Sequence, residues 1–299
     1  MLLASEDLIV ERSFSNKPKG GFKNLLDKIE NYVTMFCGPA MELYKEATPF
    51  TFRKVEAIDE ESIFKFSDTL TSRAEISDLS ATLKSDRIAI IGLGGTGSYI
   101  LDFISRTPVS EIRAFDLDAF HVHNAFRSPG KLEKDELGKS KAEVYQARYE
   151  SFRSGINISQ KYIQADSEAD LQGITFAFVC VDKGSSRKEI FEVLMKMGIP
   201  FIDVGMGLDR RKGPIDGMLR VTYYDSASAR AMLQQNLAPM TDAPDDIYKN
   251  NIQISELNAL NACMAVARFK QIRGFYSEEK PSYHMLLTLN DLHCASESR

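Results

Sequence analysis

The stretch Asp86-Arg-Ile-Ala-Ile-Ile-Gly-Leu-Gly-Gly-Thr-Gly-Ser98 decides the fold that the sequence predicts. Its β-branched apolar run, Ile88–Ile91, is typical of a buried parallel strand. Apolar residues at helical spacing follow between Tyr99 and Ile104. The turn between strand and helix contains Gly92, Gly94, Gly95 and Gly97. Such a turn can cradle phosphate, because glycine lets backbone N–H groups approach the oxygens and the helix dipole favours negative charge. By itself the pattern also fits an ordinary tight turn.

The overall composition is that of a globular protein. The chain has 299 residues, of which 43% are hydrophobic and 26% charged, enough for one large α/β domain with or without a smaller addition. The net charge of −5 argues against a general nucleic-acid binder. No apolar run approaches the ~20 residues that span a bilayer, the N-terminus lacks the basic start of a signal peptide, and the four cysteines form no Cys-x-x-Cys pair. We therefore expect a cytoplasmic protein without a membrane partner or a structural zinc site.

Residues 1–85 differ from the rest and predict a helical N-terminal extension. Apolar spacing favours a helix over Phe22–Tyr44 that breaks at Gly38-Pro39, and one or two short helices over Ile63–Leu83. This extension either packs on the domain that follows or forms a separate partner-binding module. Residues 86–299 are expected to form the nucleotide-binding domain.

From Arg87 onward, strands and helices alternate. The predicted strands are Ile88–Ile91, Glu111–Asp118, Ile158–Ala165, Ile174–Val181, Pro200–Val204, Met218–Tyr224 and Tyr283–Leu289, and the predicted helices include Lys139–Phe152, Ser185–Met197 with Ser185 or Ser186 as its cap, and Ile254–Ile272. This alternation predicts an α/β fold, Rossmann-like and doubly wound, with a mostly parallel sheet. The polar stretch Asp225–Asn250 is long for a compact domain, which indicates a functional or mobile loop.

Polar residues collect where the predicted strands end. Asp116 lies 22 residues beyond Gly94, where an acid accepts hydrogen bonds from a ribose in a doubly wound sheet. An NAD-binding protein would look the same up to this point. Arg127 and Lys141 can converge on a polyphosphate, and Asp182, after the fourth strand, is a natural Mg²⁺ anchor beside phosphates. Each of these residues alone fits a surface charge or a helix cap, but the ordered set favours a triphosphate site.

These residues resemble the ThiF/MoeB/HesA superfamily, which includes the ubiquitin-activating enzymes. The matching elements are Gly92-Leu-Gly-Gly-Thr-Gly97, Asp116-Leu-Asp118, Asn124, Arg127, Gly138-x-x-Lys141, and Asp182 with Arg187 behind it. The resemblance covers roughly residues 73–272. It implies that residues 86–299 form an adenylation domain, which uses ATP and Mg²⁺ to adenylate the C-terminal glycine of a ubiquitin-like or sulfur-carrier protein and releases pyrophosphate.

The resemblance also implies a role for each matching residue. Gly92, Gly94, Gly95, Gly97, Asp116, Asp118 and Asn124 would bind the nucleotide, with Asp116 on the ribose and Asn124 on the phosphates. Arg127, Lys141, Asp182 and Arg73 would be the catalytic residues. Of these, Arg127 and Lys141 would hold the phosphates and Asp182 the metal. Arg73 would reach the ATP of the partner subunit in a homodimer, and a conjugating enzyme is a further candidate partner.

The chain departs from its relatives in its cysteines. Many relatives carry two Cys-x-x-Cys pairs for zinc and a thioester-forming cysteine in the crossover loop, but no cysteine occurs here between Val181 and Ala262. Cys263 is expected to lie in the core. The enzyme is therefore expected to stop at the acyl-adenylate, with the carrier tail passing under the Asp225–Asn250 stretch. An oxyester through Ser226 or Ser228 is an alternative without a visible base.

Other interpretations remain open. A catalytically silent scaffold would have no need for Arg127, Lys141 and Asp182 together. ATP-dependent tRNA modification by the dehydratase branch of the same superfamily fits the motifs, although the acidic balance tells against it. An NAD-dependent oxidoreductase does not require Arg127, Lys141 and Asp182 together. His121 and His123 fit a metal site or loop packing, and the lack of a third ligand nearby favours packing.

Overall fold

The computed structural model describes residues 16–44, 49, 62–210, 213–242 and 252–298. Its contacts divide the chain into two units, residues 1–56 and residues 57–299. The segment from residue 62 to residue 85 therefore belongs to the larger unit. The boundary expected at residue 85 stays a prediction.

The described part of the first unit contains one long helix, α1, over Leu25–Leu43. It begins at Asn24, whose side chain accepts a hydrogen bond from the backbone N–H of Asp27 at 2.8 Å, as an N-cap does. The break predicted at Gly38-Pro39 is wrong, because the helix continues through Pro39. A proline removes only its own N–H from the helical ladder, and the turn that follows closes with Tyr44 N donating to Ala40 O.

The second unit alternates helices and strands as the sequence predicts. Its described strands are β1 (Arg87–Ile91), β2 (Glu111–Phe115), β3 (Ile156–Ser159), β4 (Phe176–Val179), β5 (Phe201–Asp209), β6 (Asp216–Tyr224), β7 (Ser282–Thr288) and β8 (Cys294–Ser298). Its described α-helices are α2 (Thr69–Arg73), α3 (Ser77–Ala81), α4 (Gly95–Ser105), α5 (Val122–Ala125), α6 (Lys141–Glu150), α7 (Glu168–Leu171), α8 (Gly184–Met197), α9 (Ala229–Leu233) and α10 (Ser255–Ile272), and Lys134–Glu136 forms a 3₁₀ turn.

The described strands form one sheet in the order β3-β2-β1-β4-β5-β6-β7-β8. Pairing is parallel from β3 to β5 and antiparallel from β5 to β8. The order reverses between β1 and β4, and the crevice at such a switch point is where ligands bind in doubly wound folds. The predicted Rossmann-like, doubly wound, mostly parallel α/β fold is therefore confirmed.

Three strand predictions need correction. The second strand was expected to reach Asp118, but β2 ends at Phe115. The third strand was expected over Ile158–Ala165, but β3 ends at Ser159, where Lys161 N turns back to Ser159 O at 3.0 Å. The fifth strand was expected to stop at Val204, but β5 continues to Asp209, because its whole length pairs with β6 in a long hairpin. Strand β8 had no counterpart among the predicted elements.

Helices cover both faces of the sheet and enclose two apolar clusters. One cluster includes residues of α4, α6 and α10, and the other includes residues of α8 and α9. The α10 face toward the sheet carries Ala262, Ala265 and Phe269, all fully buried. Cys263 lies off this face and is exposed, so its expected place in the core is wrong.

The Asp225–Asn250 stretch is more ordered than expected over its described residues, 225–242. It contains the short helix α9, and Ala229, Met232 and Ala238 are buried in the second apolar cluster. These residues are part of the packed domain because their apolar side chains recur at a spacing that faces the sheet. Residues 243–250 lie outside the described residues.

Phe269→Ala should lower the free energy of unfolding by about 3–5 kcal/mol, because it leaves a cavity in the core. The Phe269 ring centroid lies 4.9 Å from that of Phe176 and 5.8 Å from that of Phe178. Cys263→Ala on the same helix is the matched control and should stay within about 0.5 kcal/mol of the wild type. Urea unfolding measures both, and equal stabilities would contradict the assigned core.

Candidate functional site

The glycine turn between β1 and α4 is built from backbone that approaches too closely for side chains. Gly92 adopts a φ of +94°, and its N–H donates to Phe115 O at 2.8 Å. A Cβ added at Gly97 would lie 2.0 Å from Gly92 O. The turn therefore brings the N-terminus of α4 directly after β1 on backbone that carries no side chains of its own at Gly92, Gly94, Gly95 and Gly97, as a phosphate cradle requires.

Asp116 ties the end of β2 to this turn. Its Oδ2 accepts a hydrogen bond from Leu93 N at 2.6 Å, and its Oδ1 accepts one from Asp118 N at 2.9 Å. Asp116 is 8% exposed. The carboxylate therefore lies at the switch point, where the ribose-binding acid of a doubly wound sheet is expected.

Lys141 is buried against the same carboxylate. Its Nζ donates to Asp116 Oδ1 and Oδ2 at 3.1 and 3.2 Å and to Asp118 Oδ2 at 2.8 Å. Burial acts to lower the pKa of Lys141, but the attraction of Asp116 and Asp118 outweighs it, so the pKa is raised. The lysine stays a cation at the carboxyl ends of the strands.

Local capping fixes where Lys141 stands. Ser140 caps α6, and a reciprocal pair of bonds joins it to Glu143: Glu143 N donates to Ser140 Oγ at 3.1 Å, and Ser140 N donates to Glu143 Oε2 at 2.9 Å. Lys141 N donates to Asp118 O at 2.9 Å. The first residue of α6 is therefore held beside the end of β2.

Arg127 and Asp182 complete the charged part of the site. Arg127 is half-buried, and its Nε has no hydrogen-bond partner. Burial lowers the pKa of Arg127, against the attraction of nearby Asp182 and Asp118. Asp182 is exposed, and within the described residues no hydrogen bond or ion pair engages its carboxylate. An unpartnered guanidinium nitrogen near a disengaged carboxylate fits a phosphate with its metal ion.

The other predicted site residues lie in different settings. Asn124 is buried, and its Oδ1 accepts from His121 N at 2.7 Å, so this oxygen closes the turn that begins α5. Arg73 is exposed in the last turn of α2 and makes no side-chain hydrogen bond or ion pair to the residues that the structure describes. The phosphate role of Asn124 and the partner-subunit role of Arg73 stay predictions.

The two loop histidines stack on each other and have no third metal ligand among the described residues. The exposed rings of His121 and His123 stack with centroids 5.6 Å apart. Over the described ranges, no group of three or more His, Cys, Asp or Glu residues could hold a metal ion. The stacking agrees with the loop-packing interpretation.

A buried ion network on β5 and β6 escaped the sequence analysis. Asp203 is fully buried, and its Oδ1 accepts from Arg187 Nε at 2.9 Å, while its Oδ2 accepts from Arg220 Nη2 at 2.5 Å. Arg187 also donates to Pro239 O at 2.9 Å. The signal was present, because Asp203 interrupts an apolar strand, where a charge needs a partner.

Two buried asparagines on α10 were also missed. Asn258 Oδ1 accepts from Thr96 Oγ1 at 3.0 Å, beside the glycine turn, and Asn261 Nδ2 donates to Gly205 O at 3.1 Å, on β5. Both residues are fully buried. Amides three residues apart on an otherwise apolar helix face were the available signal.

The start of α8, next to Asp182, is capped by a residue that is remote in sequence. The expected cap at Ser185 or Ser186 is wrong: the N-cap position is Lys183, and the Asp242 side chain accepts from Ser185 N and Ser185 Oγ at 2.9 and 2.8 Å. These bonds lower the pKa of Asp242. The last described residues before position 243 are therefore attached beside Asp182.

The candidate nucleophiles of the covalent alternatives are poorly activated. Burial raises the pKa of the Cys180 thiol, and partial desolvation raises that of Cys263 even though this residue is exposed. Both shifts oppose thiolate formation. Ser228 Oγ donates to Asp225 Oδ2 at 2.5 Å, in the turn that precedes α9. An oxyester through Ser226 or Ser228 stays a prediction.

Gly97→Ala should destabilise the protein by about 1–3 kcal/mol, since its Cβ would collide with the Gly92 carbonyl and force the turn open. Gly94→Ala is the matched control in the same turn. A Cβ there meets nothing within 4 Å, so the cost should stay below about 1 kcal/mol. Urea unfolding distinguishes them, and a Gly97→Ala protein as stable as Gly94→Ala would contradict the turn geometry.

The chain has relatives among characterised proteins. The tRNA threonylcarbamoyladenosine dehydratase of Haemophilus influenzae is 24% identical over 132 residues, which are 43% of this chain and 50% of that protein. The adenylyltransferase and sulfurtransferase UBA4 of Saccharomyces cerevisiae is 21% identical over 209 residues, which are 69% of this chain and 46% of that protein. The chain thus spans about half the length of these curated relatives.

Solved structures share the fold. The crystal structure of PaaA has a TM-score of 0.58 and 15% identity, over 92% of this chain and 87% of that chain. The crystal structure of Escherichia coli MccB with ATP has a TM-score of 0.55 and 16% identity, over 78% and 72%. No described helix has the length and apolar character needed to cross a membrane.

Residues 2–69 match a domain of unknown function, DUF6791. Residues 69–291, more than half of the chain, match the ThiF family model, and the chain belongs to the ThiF family.

Proposed function

We propose that the protein is an ATP-dependent adenylyltransferase that activates the C-terminal glycine carboxylate of a ubiquitin-like or sulfur-carrier protein and releases pyrophosphate. The observation that carries this proposal is the group of charges at the switch point. Lys141 is buried and donates to Asp116 beside the glycine turn. Arg127, whose Nε has no partner, lies near Asp182. Two cations and an open carboxylate match the needs of a triphosphate and its metal.

The reaction requires the protein mainly to position the reactants and to neutralise charge. A glycine carboxylate is already ionised at pH 7, so no general base is needed. One of its oxygens forms a bond to the α-phosphorus, the bond from that phosphorus to the bridging oxygen breaks, and pyrophosphate leaves. The protein aligns the two reactants and neutralises the negative charge that builds up on the phosphates.

In this proposal Lys141 changes partners when the nucleotide binds. A carboxylate accepts about four hydrogen bonds, and those of Asp116 are taken by Leu93 N, Asp118 N and Lys141 Nζ. When Lys141 turns to the phosphates, Asp116 is left with free acceptor sites for ribose hydroxyls. Arg127 and Asn124 would hold phosphate oxygens alongside it.

Mg²⁺ would bind at Asp182, and would supply charge neutralisation on the phosphates. One exposed carboxylate suits this ion, which is usually held by one or two carboxylates together with substrate phosphates. The N-terminus of α8 starts two residues later, and its dipole is balanced by Asp242.

The described activity of one relative and the molecules bound to a structural neighbour support the proposal. UBA4 is an adenylyltransferase and sulfurtransferase, and MccB has been crystallised with ATP and, separately, with AMPCPP and MccA. We further propose a cytoplasmic homodimer in which Arg73 reaches the partner's ATP, and a conjugating enzyme as the recipient of the activated tail.

A second candidate function is ATP-dependent tRNA modification. It is favoured by one observation, the 24% identity to tRNA threonylcarbamoyladenosine dehydratases. The net charge of −5 counts against it, because tRNA binding gains most of its affinity from basic surface. An ATP–pyrophosphate exchange assay, run once with tRNA and once with a carrier protein that ends in glycine, distinguishes the two functions.

Arg127→Met should weaken the binding of Mg·ATP by at least about tenfold, since a charge-assisted contact to phosphate is lost. Its stability should be unchanged or higher, because the half-buried guanidinium leaves Nε without a partner. Arg230→Met, at an exposed position of α9, is the control for a lost surface charge. Titration calorimetry with Mg·ATP measures the affinities, and wild-type affinity in Arg127→Met would argue against the phosphate role.

Asp182→Ala should reduce carrier-dependent ATP–pyrophosphate exchange by about 100-fold or more, as expected for loss of a group that stabilises transition-state charge. The exposed Asp166→Ala is the matched control and should retain full exchange. Exchange that survives in Asp182→Ala contradicts the metal role. Exchange that depends on tRNA instead of a carrier would transfer the assignment to the second candidate.

A further inference from the structure

Three side-chain amides at the start of α10 have a polar atom without a partner. The atoms are Gln253 Oε1, Asn258 Nδ2 and Asn261 Oδ1, and all three are buried. Buried polar atoms in native proteins are nearly always hydrogen-bonded, so each exception asks for an explanation. Three of them within nine residues indicate a ligand that supplies the missing partners.

The bonds that the amides do make fix which atoms are free. Asn261 Nδ2 donates to Gly205 O, so its free atom is an acceptor beside β5. Asn258 Oδ1 accepts from Thr96 Oγ1, so its free atom is a donor. The whole Asn258 amide packs against the glycine turn, since a Cβ added at Gly95 would lie 2.3, 2.4 and 2.5 Å from its Nδ2, Cγ and Oδ1. A ligand passing from Gly205 to Gly95 would meet an acceptor first and a donor second.

The sheet order separates these amides from the nucleotide's ribose. Asp116 follows β2, on one side of β1, whereas Gly205 lies on β5, beyond β4 on the other side. A ribose at Asp116 would therefore lie across β1 from Gly205 and from Asn261, which contacts Gly205. That separation leaves the Asn261 side of the switch point for a second reactant.

The helix itself favours an anionic ligand at this end. Helix α10 is 18 residues long, and its N-cap, Ile254, supplies no side-chain hydrogen bond. The first N–H groups of a helix carry partial positive charge and bind anions. Behind Gly205, the two arginines on Asp203 leave a net charge of +1 in the buried network.

We propose that Asn258 and Asn261 recognise the last peptide unit of an extended C-terminal tail. Asn261 Oδ1 accepts the N–H of the final residue, and Asn258 Nδ2 donates to its carboxylate, which then lies beside the glycine turn. Gln253 Oε1 accepts a further tail N–H. This inference rests on the proposed function and extends it to the residues that read the carrier's main chain.

A pair of small probes tests the hydrogen bond at Asn261 without the carrier. N-acetylglycylglycine has the final N–H, whereas its ester isostere, N-acetylglycylglycolate, has an oxygen in that place and the same charge. Both are titrated by NMR into the full chain saturated with Mg²⁺ and a non-hydrolysable ATP analogue. We expect the ester to bind the wild type about tenfold more weakly.

Asn261→Leu should bind both probes equally, at the weak affinity of the ester. Glu256→Gln, an exposed change on the same turn of α10, is the control and should keep the tenfold difference. Urea unfolding verifies that each variant is folded, and Asn258→Leu serves as the second variant. It should weaken both probes, because both carry the carboxylate.

Several results would overturn the inference. They are equal binding of the two probes to the wild type, no binding of either probe, and an Asn261→Leu protein that loses affinity for the ATP analogue instead of the peptide. The last result would assign the amides to the base. Failure of the proposed function has a separate signature, the absence of Mg·ATP binding to the wild type.

Discussion

The carboxylate of Asp116 holds the site together. It accepts the N–H of Leu93 in the glycine turn and the N–H of Asp118 after β2, and it receives the ammonium of Lys141 from α6. Three segments that are far apart in sequence therefore meet at one buried carboxylate. A buried carboxylate is costly unless it is paired and hydrogen-bonded, so these contacts also determine which conformations of the turn are stable. The glycine turn keeps its conformation because this acid is satisfied.

In the proposed function, the same interaction gives the site two states. With Lys141 on Asp116, the acid is saturated and the cation is neutralised, so the buried charges are stable without a ligand. A triphosphate brings negative charge that competes for Lys141, and ribose hydroxyls can replace the lysine on Asp116. Arg127 differs, because its Nε has no partner to give up. In the proposed function Arg127 is ready for the phosphates, and Lys141 joins it only when the nucleotide arrives.

Local signals in the sequence were enough for the fold and for the placement of Asp116 beside the glycine turn. The spacing of Gly94 and Asp116 along one strand–turn–helix unit depends on short-range geometry, so the Asp116 position at the switch point could be predicted. Side-chain contacts between different helices and strands could not be predicted. Asn258 meets Thr96 from 162 residues away, and Asp203 is paired by an arginine on a neighbouring antiparallel strand. The Lys141 side chain was expected on phosphate, and nothing local indicated that two aspartates would hold it. Pro39 inside α1 illustrates the opposite error, a local rule that the rest of the helix overrides.

A crystal structure with Mg²⁺ and a non-hydrolysable ATP analogue tests the central claim most directly. The account predicts that the triphosphate lies at the N-terminus of α4, with Arg127 and Lys141 on its oxygens, the metal on Asp182, and a ribose hydroxyl on Asp116. A nucleotide bound elsewhere, or Lys141 still paired with Asp116 beside a bound triphosphate, would contradict it.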